Sequence, residues 1–324
     1  MKTQALLICI AATLAGVELS PVAFAQTTAG DAAVQAQWFT GSLEAPSPAL
    51  PSAGILAVEP YFVYTSNNGS YDNSGARHSI SNGADVFTSE TVLKYAITDR
   101  LSVEALPSFS HNLNNHDSYT GLGDLPLEAE YRFNDEDNKT GYPSVTASLG
   151  MTLPTGHFDN LNAALDGFGS GVYTAKEGIL AQSLFDTWGH HPMRLRFYGA
   201  AYEPVSNVSV QGNSVYGTSK GFLGTAMPGL SSVLGIGAGY GLDQRWVLAF
   251  DVVQNFANGL HLQGTNGGIV TNTHGTSSAA LAVAPAIEYN FSDNLGIIAG
   301  VEFSVAGRNT PSYVAPQIAL STSF

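Results

Sequence analysis

The sequence contains little charge, few basic residues and a single cysteine. Only 12% of its 324 residues are Asp, Glu, Lys or Arg, which is about half the share found in a typical soluble domain. The 12 basic residues stand against 26 acidic ones and give a net charge of −14. The chain therefore lacks the basic surface of a nucleic-acid-binding protein. Because Cys9 is the only cysteine, a disulfide framework is also excluded.

The amino terminus carries the pattern of an export signal. Lys2 is followed by an apolar run over 5–14 and by the small-residue pattern Ala23-Phe24-Ala25. This order predicts a cleaved secretory signal peptide over residues 1–25. Beyond it, no apolar run approaches the 18 residues of a membrane-spanning helix. Two exported classes remain, a soluble β-protein and a membrane β-barrel.

From Gly54 onward, apolar and polar residues alternate with a period of two between clusters of Gly, Asn, Asp and Ser. This alternation is typical of β-strands. We predict an all-β fold, a transmembrane antiparallel up-and-down barrel of about twelve strands occupying residues 54–324. The predicted strands, long enough to cross a membrane at a tilt, cover roughly 55–66, 86–97, 101–112, 123–133, 144–154, 172–185, 193–203, 229–241, 246–255, 279–291, 295–306 and 312–324.

The connections between these strands alternate in length, as they do in outer-membrane barrels. Short or moderate ones fall at 98–100, 134–143, 186–192, 243–245 and 292–294. Between them lie long polar loops near 67–85, 113–122, 155–171, 204–228 and 256–278, and one brief turn around Asn309. The asymmetry favours a barrel in the outer membrane of a Gram-negative bacterium, with the short turns in the periplasm.

The charges of the predicted strands fall on one face. If the more apolar face of each strand meets lipid, eleven of the twelve strands carry no outward charge; a charge on that face would cost roughly 2–4 kcal/mol near the midplane. In the sixth strand Lys176 and Glu177 are adjacent, so one faces outward unless a bulge intervenes. The candidate lumen or constriction residues are Glu59, Glu90, Lys94, Glu104, Glu128, Glu130, Arg132, Arg194, Arg196, Asp251, Glu288 and Glu302.

Two features point to the contents of the lumen. Opposite charges at Glu128, Glu130 and Arg132 against Arg194 and Arg196 predict salt bridges across a narrow lumen, which would form either a constriction or a structural plug of paired charges. A second feature is the row of glycines at alternate positions 235–241. It indicates a wall that lies close to a neighbour or to a lumen segment, or a flexible strand.

The stretch between the predicted signal peptide and the barrel has no strand pattern. Residues 26–53 are rich in Ala, Gln and Thr and then in Pro. This composition predicts a periplasmic lead-in or linker, and whether it enters the lumen is left open.

The middle of the chain resembles a known family. Gly121-Leu122-Gly123-Asp124 leads a strand ending in Glu130-Tyr131-Arg132-Phe133, and a second strand ends in Leu149-Gly150-Met151-Thr152-Leu153-Pro154-Thr155-Gly156 before a Gly-rich loop. This order resembles the meta-pathway phenol-degradation family of outer-membrane proteins, which is often described simply as transporters. The resemblance implies a barrel that admits small hydrophobic or aromatic compounds. It assigns no binding residue.

No catalytic constellation stands out. The eight histidines fall in predicted loops, turns or strand ends, and no Gly-x-Ser-x-Gly elbow occurs. His111 with His116, and His190 with His191, lack the spacing of a structural metal site. We predict no enzymatic activity, no cofactor and no metal.

These observations predict an outer-membrane channel that passes small hydrophobic or aromatic solutes without chemistry. Its partners would be membrane lipid, the solute, and the barrel-assembly machinery, which would recognise the terminal strand ending in Phe324; no nucleic acid is expected. The alternatives are a structural or surface-interaction barrel and, third, a membrane-embedded hydrolase.

Overall fold

The computed structural model describes residues 37–81, 83–137, 140–187 and 191–324. The predicted signal peptide and residues 26–36 of the predicted lead-in lie outside the described residues. One short 3₁₀ turn, Ala164–Asp166, is present, and no helix in the described ranges is long and apolar enough to span a membrane. The strands are β1 (Leu56–Tyr71), β2 (Arg77–Ser79), β3 (Asp85–Thr98), β4 (Leu101–Ala105), β5 (Ser108–Leu113), β6 (Ser118–Leu122), β7 (Leu125–Asn134), β8 (Ser144–Leu153), β9 (Thr174–Asp186), β10 (Pro192–Pro204), β11 (Val208–Gln211), β12 (Phe222–Met227), β13 (Ser231–Gly241), β14 (Trp246–Ala257), β15 (His261–Asn266), β16 (Ile269–His274), β17 (Ser278–Asn290), β18 (Leu295–Arg308) and β19 (Thr310–Ser323).

The wall is a closed antiparallel barrel of twelve strands, as predicted. The long strand β1 pairs with β3 on one side and with the last strand, β19, on the other, and this second pairing closes the ring. The third wall strand is interrupted between β4 and β5 at Leu106–Pro107, where proline has no N–H to donate to the ladder. The fourth is interrupted between β6 and β7 at Gly123–Asp124. Each pair of fragments follows one path, because β3 pairs with both β4 and β5.

A second, smaller sheet lies in the long connections and was not predicted. Strands β11, β12, β15 and β16 form it in that order, so it joins the loop after β10 to the loop after β14. We call it the loop sheet. Its own apolar core contains Val210, Tyr216, Phe222, Ala226 and Leu262, and this core explains why these polar loops are ordered.

The outer and inner faces of the wall separate by chemistry. Large apolar side chains such as Phe197, Ile236 and Phe250 are exposed on the outside. Near the short turns, aromatic rings cluster on the same face, with the centroids of Trp246 and Tyr289 4.6 Å apart. This is the apolar band with aromatic margins of a transmembrane barrel.

The sixth strand accommodates its two adjacent charged residues, Lys176 and Glu177, without a bulge. Lys176 turns inward and pairs with Glu128, whereas Glu177 is exposed on the outer face. The pairing of β9 with β8 and β10 is regular through this point. Glu177 lies in the fourth residue of β9, next to a long loop, so it sits at the margin of the apolar band.

Residues 37–51 lie inside the barrel, a placement that the sequence alone leaves open. Apart from the half-buried Trp38, every one of them is buried, and Leu43 and Leu50 are fully so. Leu43 packs into an apolar cluster with Tyr61, Val92 and Ile298 of the wall. We call residues 37–51 the plug segment. Their composition carries no strand signal because their contacts are with inward side chains of the wall.

The lipid-facing assignment can be tested with one substitution. Replacing Ile236, 48% exposed in the middle of β13, by Arg should lower the free energy of unfolding in lipid vesicles by about 2–4 kcal/mol, as measured by urea titration. The matched control is Ile269→Arg, since Ile269 is 73% exposed but lies on the loop sheet. Equal effects of the two substitutions would contradict a lipid-facing wall.

Candidate functional site

The plug segment enters and leaves the lumen from the end with the short turns. At its start, the Trp38 amide donates to the carbonyl of Gln244, in the β13–β14 turn, at 3.2 Å. Just beyond it, the Ala53 amide donates to Asp99 Oδ1, in the β3–β4 turn, at 2.9 Å. Between these points the chain rises to Pro46, which lies beside Tyr198 and Tyr202. The segment is therefore a loop inserted from one side.

Two carboxylates of the wall hold the rising half of the plug segment. Glu288 Oε2 accepts the backbone N–H groups of Thr40 at 2.9 Å and Gly41 at 3.2 Å. Asp251 Oδ2 accepts the N–H of Glu44 at 3.1 Å. Backbone donors inside a barrel need such acceptors because no neighbouring strand supplies them. Charged acceptors also give the stronger class of hydrogen bond.

Other wall side chains bind carbonyl and carboxylate oxygens of the plug segment. Arg196 Nη1 donates to the carbonyl of Ala45 at 2.9 Å, and Thr146 Oγ1 donates to that of Pro48 at 2.7 Å. Gln317 Nε2 donates to Glu44 Oε1 at 2.6 Å. The Arg194 guanidinium lies over the Phe39 ring, 4.4 Å from its centroid. All of these contacts are non-covalent. Together with those of Glu288 and Asp251, they come from five wall strands, β8, β10, β14, β17 and β19.

Two glycines of the β13 row, Gly237 and Gly241, lie against the plug segment, whereas Gly235 packs against Tyr198 of the neighbouring wall strand, so both the lumen-segment and the close-neighbour interpretations apply to this row. A Cβ on Gly237 would lie 2.6 Å from the Cβ of Ala45, and one on Gly241 would overlap the side chain of Gln37. A side chain at either position would crowd the plug segment and require a small shift of its neighbours. The sequence therefore contained an indirect sign of the plug segment, in two glycines about 200 residues further along the chain.

All twelve candidate lumen residues are buried on the inner side of the wall. One cluster surrounds Lys94, whose Nζ lies 3.0 Å from Glu104 and 2.7 Å from Glu130. Beside it, Glu128 lies opposite Glu104 in the β4–β7 ladder and pairs with Lys176. Two lysines thus neutralise most of a three-carboxylate patch.

The charges pair differently from the predicted bridges across the lumen. Arg194 pairs with Glu288 at 3.0 Å, and Arg196 Nε donates to Gln182 at 2.9 Å. Arg132 pairs with Asp135 at 3.2 Å. The physical reason is that the plug segment occupies the middle of the lumen, so the wall charges find partners on nearby strands or on the plug segment, and Arg194 reaches three strands around the ring, from β10 to β17.

The remaining candidates have polar neighbours on adjacent strands. Glu59 Oε1 accepts from Ser321 at 3.0 Å, and Glu302 Oε1 accepts from the Tyr313 hydroxyl at 2.7 Å. Glu90 is buried on the same inner face. At the short-turn end, burial raises the pKa of the Glu136 carboxyl above its ordinary value, against the effect of its hydrogen bond with Gln182.

A small cavity lies above the plug segment. Pro46, Leu180, Tyr198 and Val233 give it an apolar and aromatic side, and the Lys176–Glu128 pair gives it a polar one. Its volume is about 20 Å³, room for about one water molecule, and it is open on one side. At this cavity the plug segment lies, through Pro46, next to the paired wall charges Lys176 and Glu128.

The residues of the sequence motifs meet at the base of the loop that spans 155–171. Asp124 accepts the N–H of Gly156 at 2.9 Å and both the N–H and the hydroxyl of Ser170 at 2.7 Å. Gly156 and Gly169 touch so closely that a Cβ on either would clash with the other. Asp124 and the two glycines hold the base of this loop against the barrel, and none of them lines the cavity.

The histidines do not assemble a hydrolytic triad within the described part of the chain. His111 Nδ1 lies 2.7 Å from the Thr120 hydroxyl, whereas the histidines near carboxylates are others, His78 with Asp72 and His157 with Asp166. Nucleophilic catalysis needs one histidine that contacts both a hydroxyl and an orienting group.

No protein-family model and no curated protein matches the chain. Among solved structures, the COG4313 outer membrane channel from Pseudomonas putida F1 has a TM-score of 0.60 and 17% identity, over 85% of this chain and 97% of that one. The deltaS2 mutant of the TodX monoaromatic hydrocarbon channel has a TM-score of 0.41 and 13% identity, over 88% and 94%. The Ralstonia pickettii toluene transporter TbuX has a TM-score of 0.40 and 12% identity, over 90% and 97%. The first likeness concerns the fold alone, and the other two are too weak to carry an argument.

The Lys94 cluster can be tested by removing its cation. Lys94→Met leaves Glu104 and Glu130 buried without their shared partner, which should lower the free energy of unfolding by about 3–5 kcal/mol. Urea unfolding in detergent measures the effect. The control is Lys220→Met, at an exposed loop lysine. If the free energy of unfolding falls equally little in both variants, Lys94 does not stabilise the patch.

Proposed function

We propose that this chain is an outer-membrane channel for small hydrophobic or aromatic solutes, and that the structure is its closed state. The observation that carries the proposal is the plug segment, which fills the lumen of a closed barrel and is held there by side-chain hydrogen bonds. A segment bound in this way can leave the lumen without breaking the wall.

The size of the barrel supports a channel. Eight strands leave an interior that side chains fill, while sixteen to eighteen leave an aqueous pore, and twelve fall between. In this chain the additional volume is occupied by residues 37–51. A barrel with a purely structural role needs no insert anchored to Glu288, Asp251 and Arg196. Removing the insert would leave a polar lumen open from end to end.

The proposed solute class rests on the cavity and on the family resemblance. The cavity is too small for a ring while the plug segment is in place. Once Pro46 has moved away, Leu180, Tyr198 and Val233 would offer apolar and aromatic contacts, and Lys176 and Glu128 one donor and one acceptor. Sites for small organic molecules combine these two features. The fold likeness to an outer membrane channel is in keeping with passage without chemistry.

The outer-membrane location and the assembly signal are part of the same proposal. Phe324 is 73% exposed, and its amide donates to the carbonyl of Leu56 at 2.9 Å, where the last strand meets the first. An exposed terminal aromatic at this seam is accessible to the barrel-assembly machinery. Export would depend on the signal peptide predicted over residues 1–25.

A surface-interaction barrel is the second candidate. The observation that favours it is the turn of the loop sheet, where Ile269 and Val270 are 73% and 77% exposed. Deleting this turn would abolish partner binding and leave permeability intact if that role were the main one.

Removing the plug segment tests the channel directly. A chain that lacks residues 26–50 should show a severalfold higher conductance in planar bilayers than the full chain, because the lumen is then open. It should also restore uptake of aromatic solutes to a deletion strain faster than the full chain does. Equal conductance of the two chains would contradict the proposal.

A disulfide lock gives the matched control on the full chain. In the double variant Ala45→Cys and Gly237→Cys, the two Cβ atoms would lie 2.6 Å apart. They need to separate by about 1 Å to reach the Cβ–Cβ distance of a normal disulfide. Cys9 is the only native cysteine. The oxidised variant should stay closed and open on reduction to the level of Gly237→Cys alone, whereas opening in the oxidised state would argue against movement of the plug segment.

The open channel should select for cations. The buried wall charges comprise eight carboxylates, all among the candidate residues, against Lys94, Arg132, Arg194 and Arg196, and the half-buried Lys176 and Asp186 of β9 add one charge of each sign. A lumen with this formal excess of negative charge attracts cations. Reversal potentials in a KCl gradient should show preference for K⁺, weaker in Glu302→Gln and unchanged in Glu177→Gln, whose carboxylate faces outward. Preference for Cl⁻ would contradict this charge assignment.

A further inference from the structure

The loop sheet carries a pair of histidines that the sequence separates by 13 positions. His261 of β15 and His274 of β16 are directly opposed in the ladder, and their rings stack with centroids 4.1 Å apart and planes at 15°. Leu262 and Ala226, their neighbours in the sheet, belong to its buried core. Because side chains alternate along a strand, the two imidazoles lie on the opposite face, where His274 is exposed.

A neighbouring amide fixes the orientation of one ring. His261 Nε2 lies 3.0 Å from Asn272 Oδ1. With the amide oxygen facing the ring, Nε2 is the donor and Nδ1 keeps its lone pair. Histidines that bind metals use this arrangement, in which one nitrogen donates to an outer partner and the other binds the ion. Asn272 is thus a positioning residue for His261.

A thioether completes the row. Met227 of β12 is directly opposed to His261 on its other side and is 49% exposed. One cross-strand row therefore contains a thioether and two imidazoles, and it contains no carboxylate. Calcium and magnesium prefer oxygen ligands, whereas imidazole and thioether suit later transition metals.

We propose that His261 and His274 form a binding site for a divalent transition-metal ion, with Cu²⁺ bound most tightly. The exposed His274 ring can turn about its Cβ–Cγ bond so that one nitrogen joins His261 Nδ1 on the ion, and water fills the remaining positions. Affinity follows the order of such ions for nitrogen ligands, Cu²⁺ above Ni²⁺ and Zn²⁺. Because the two ligands lie on adjacent strands, the bound ion fastens the β15–β16 hairpin beside the extracellular mouth.

The test uses the untagged full-length chain, folded in detergent and titrated with CuCl₂. Calorimetry should give one site, and the electron paramagnetic resonance spectrum of the bound Cu²⁺ should show nitrogen ligands. His261→Gln and His274→Gln should each weaken binding by at least about tenfold, and Asn272→Leu by about tenfold through lost orientation. Mg²⁺ should not bind at this site.

The control is His116→Gln, which removes an exposed loop histidine elsewhere and should leave binding unchanged. Heat-modifiable gel mobility checks that each variant is folded, and all of the substituted side chains lie outside the barrel wall. Binding that survives both His261→Gln and His274→Gln, or a Cu²⁺ spectrum without nitrogen ligands, overturns the proposal. Because no arm measures conductance, the result is independent of the proposed channel.

Discussion

Every charged side chain that the wall keeps away from lipid must be stabilised inside the barrel. A lipid face without charge therefore concentrates carboxylates and guanidinium groups in a narrow lumen, where leaving any of them unpaired is costly. Lys94 and Lys176 solve part of this problem along the wall. Backbone groups of the plug segment solve another part, since their N–H groups satisfy Glu288 and Asp251. The same carboxylates that hold the segment in place would face the solvent once it leaves.

The same constraint explains which parts of the fold the sequence could predict. A strand between lipid and lumen has to alternate apolar and polar residues, and all twelve wall strands follow that pattern closely enough to be found. The loop sheet is under no such constraint. Its strands β11 and β16 are short and polar, because solvent lies on one side and only a few side chains, such as Phe222 and Leu262, form its core. For that reason the sequence pattern predicted loops, and not strands, at β11 and β16.

The plug segment shows the limit of sequence reasoning more clearly. Its own residues carry no periodicity, because their contacts are spread over several wall strands and none is part of a ladder. Only its imprint on the wall was visible, in the small residues at Gly237 and Gly241. In the same way, the inward direction of Arg194 and Glu130 could be predicted from strand parity. Their partners could not, since those depend on what lies between the two walls.

The residues that carry the family resemblance do a different job from the residues that would choose a solute. Asp124, Gly156 and Gly169 lock the base of one loop, and a related sequence can keep that lock whatever passes through the lumen. The cavity is lined by Pro46 of the plug segment and by Leu180, Tyr198 and Val233 of the wall, and none of these positions belongs to the motif. Solute preference can therefore change among similar barrels while the motif stays the same. It follows that specificity would be set by Pro46 and by these three wall residues, rather than by the motif.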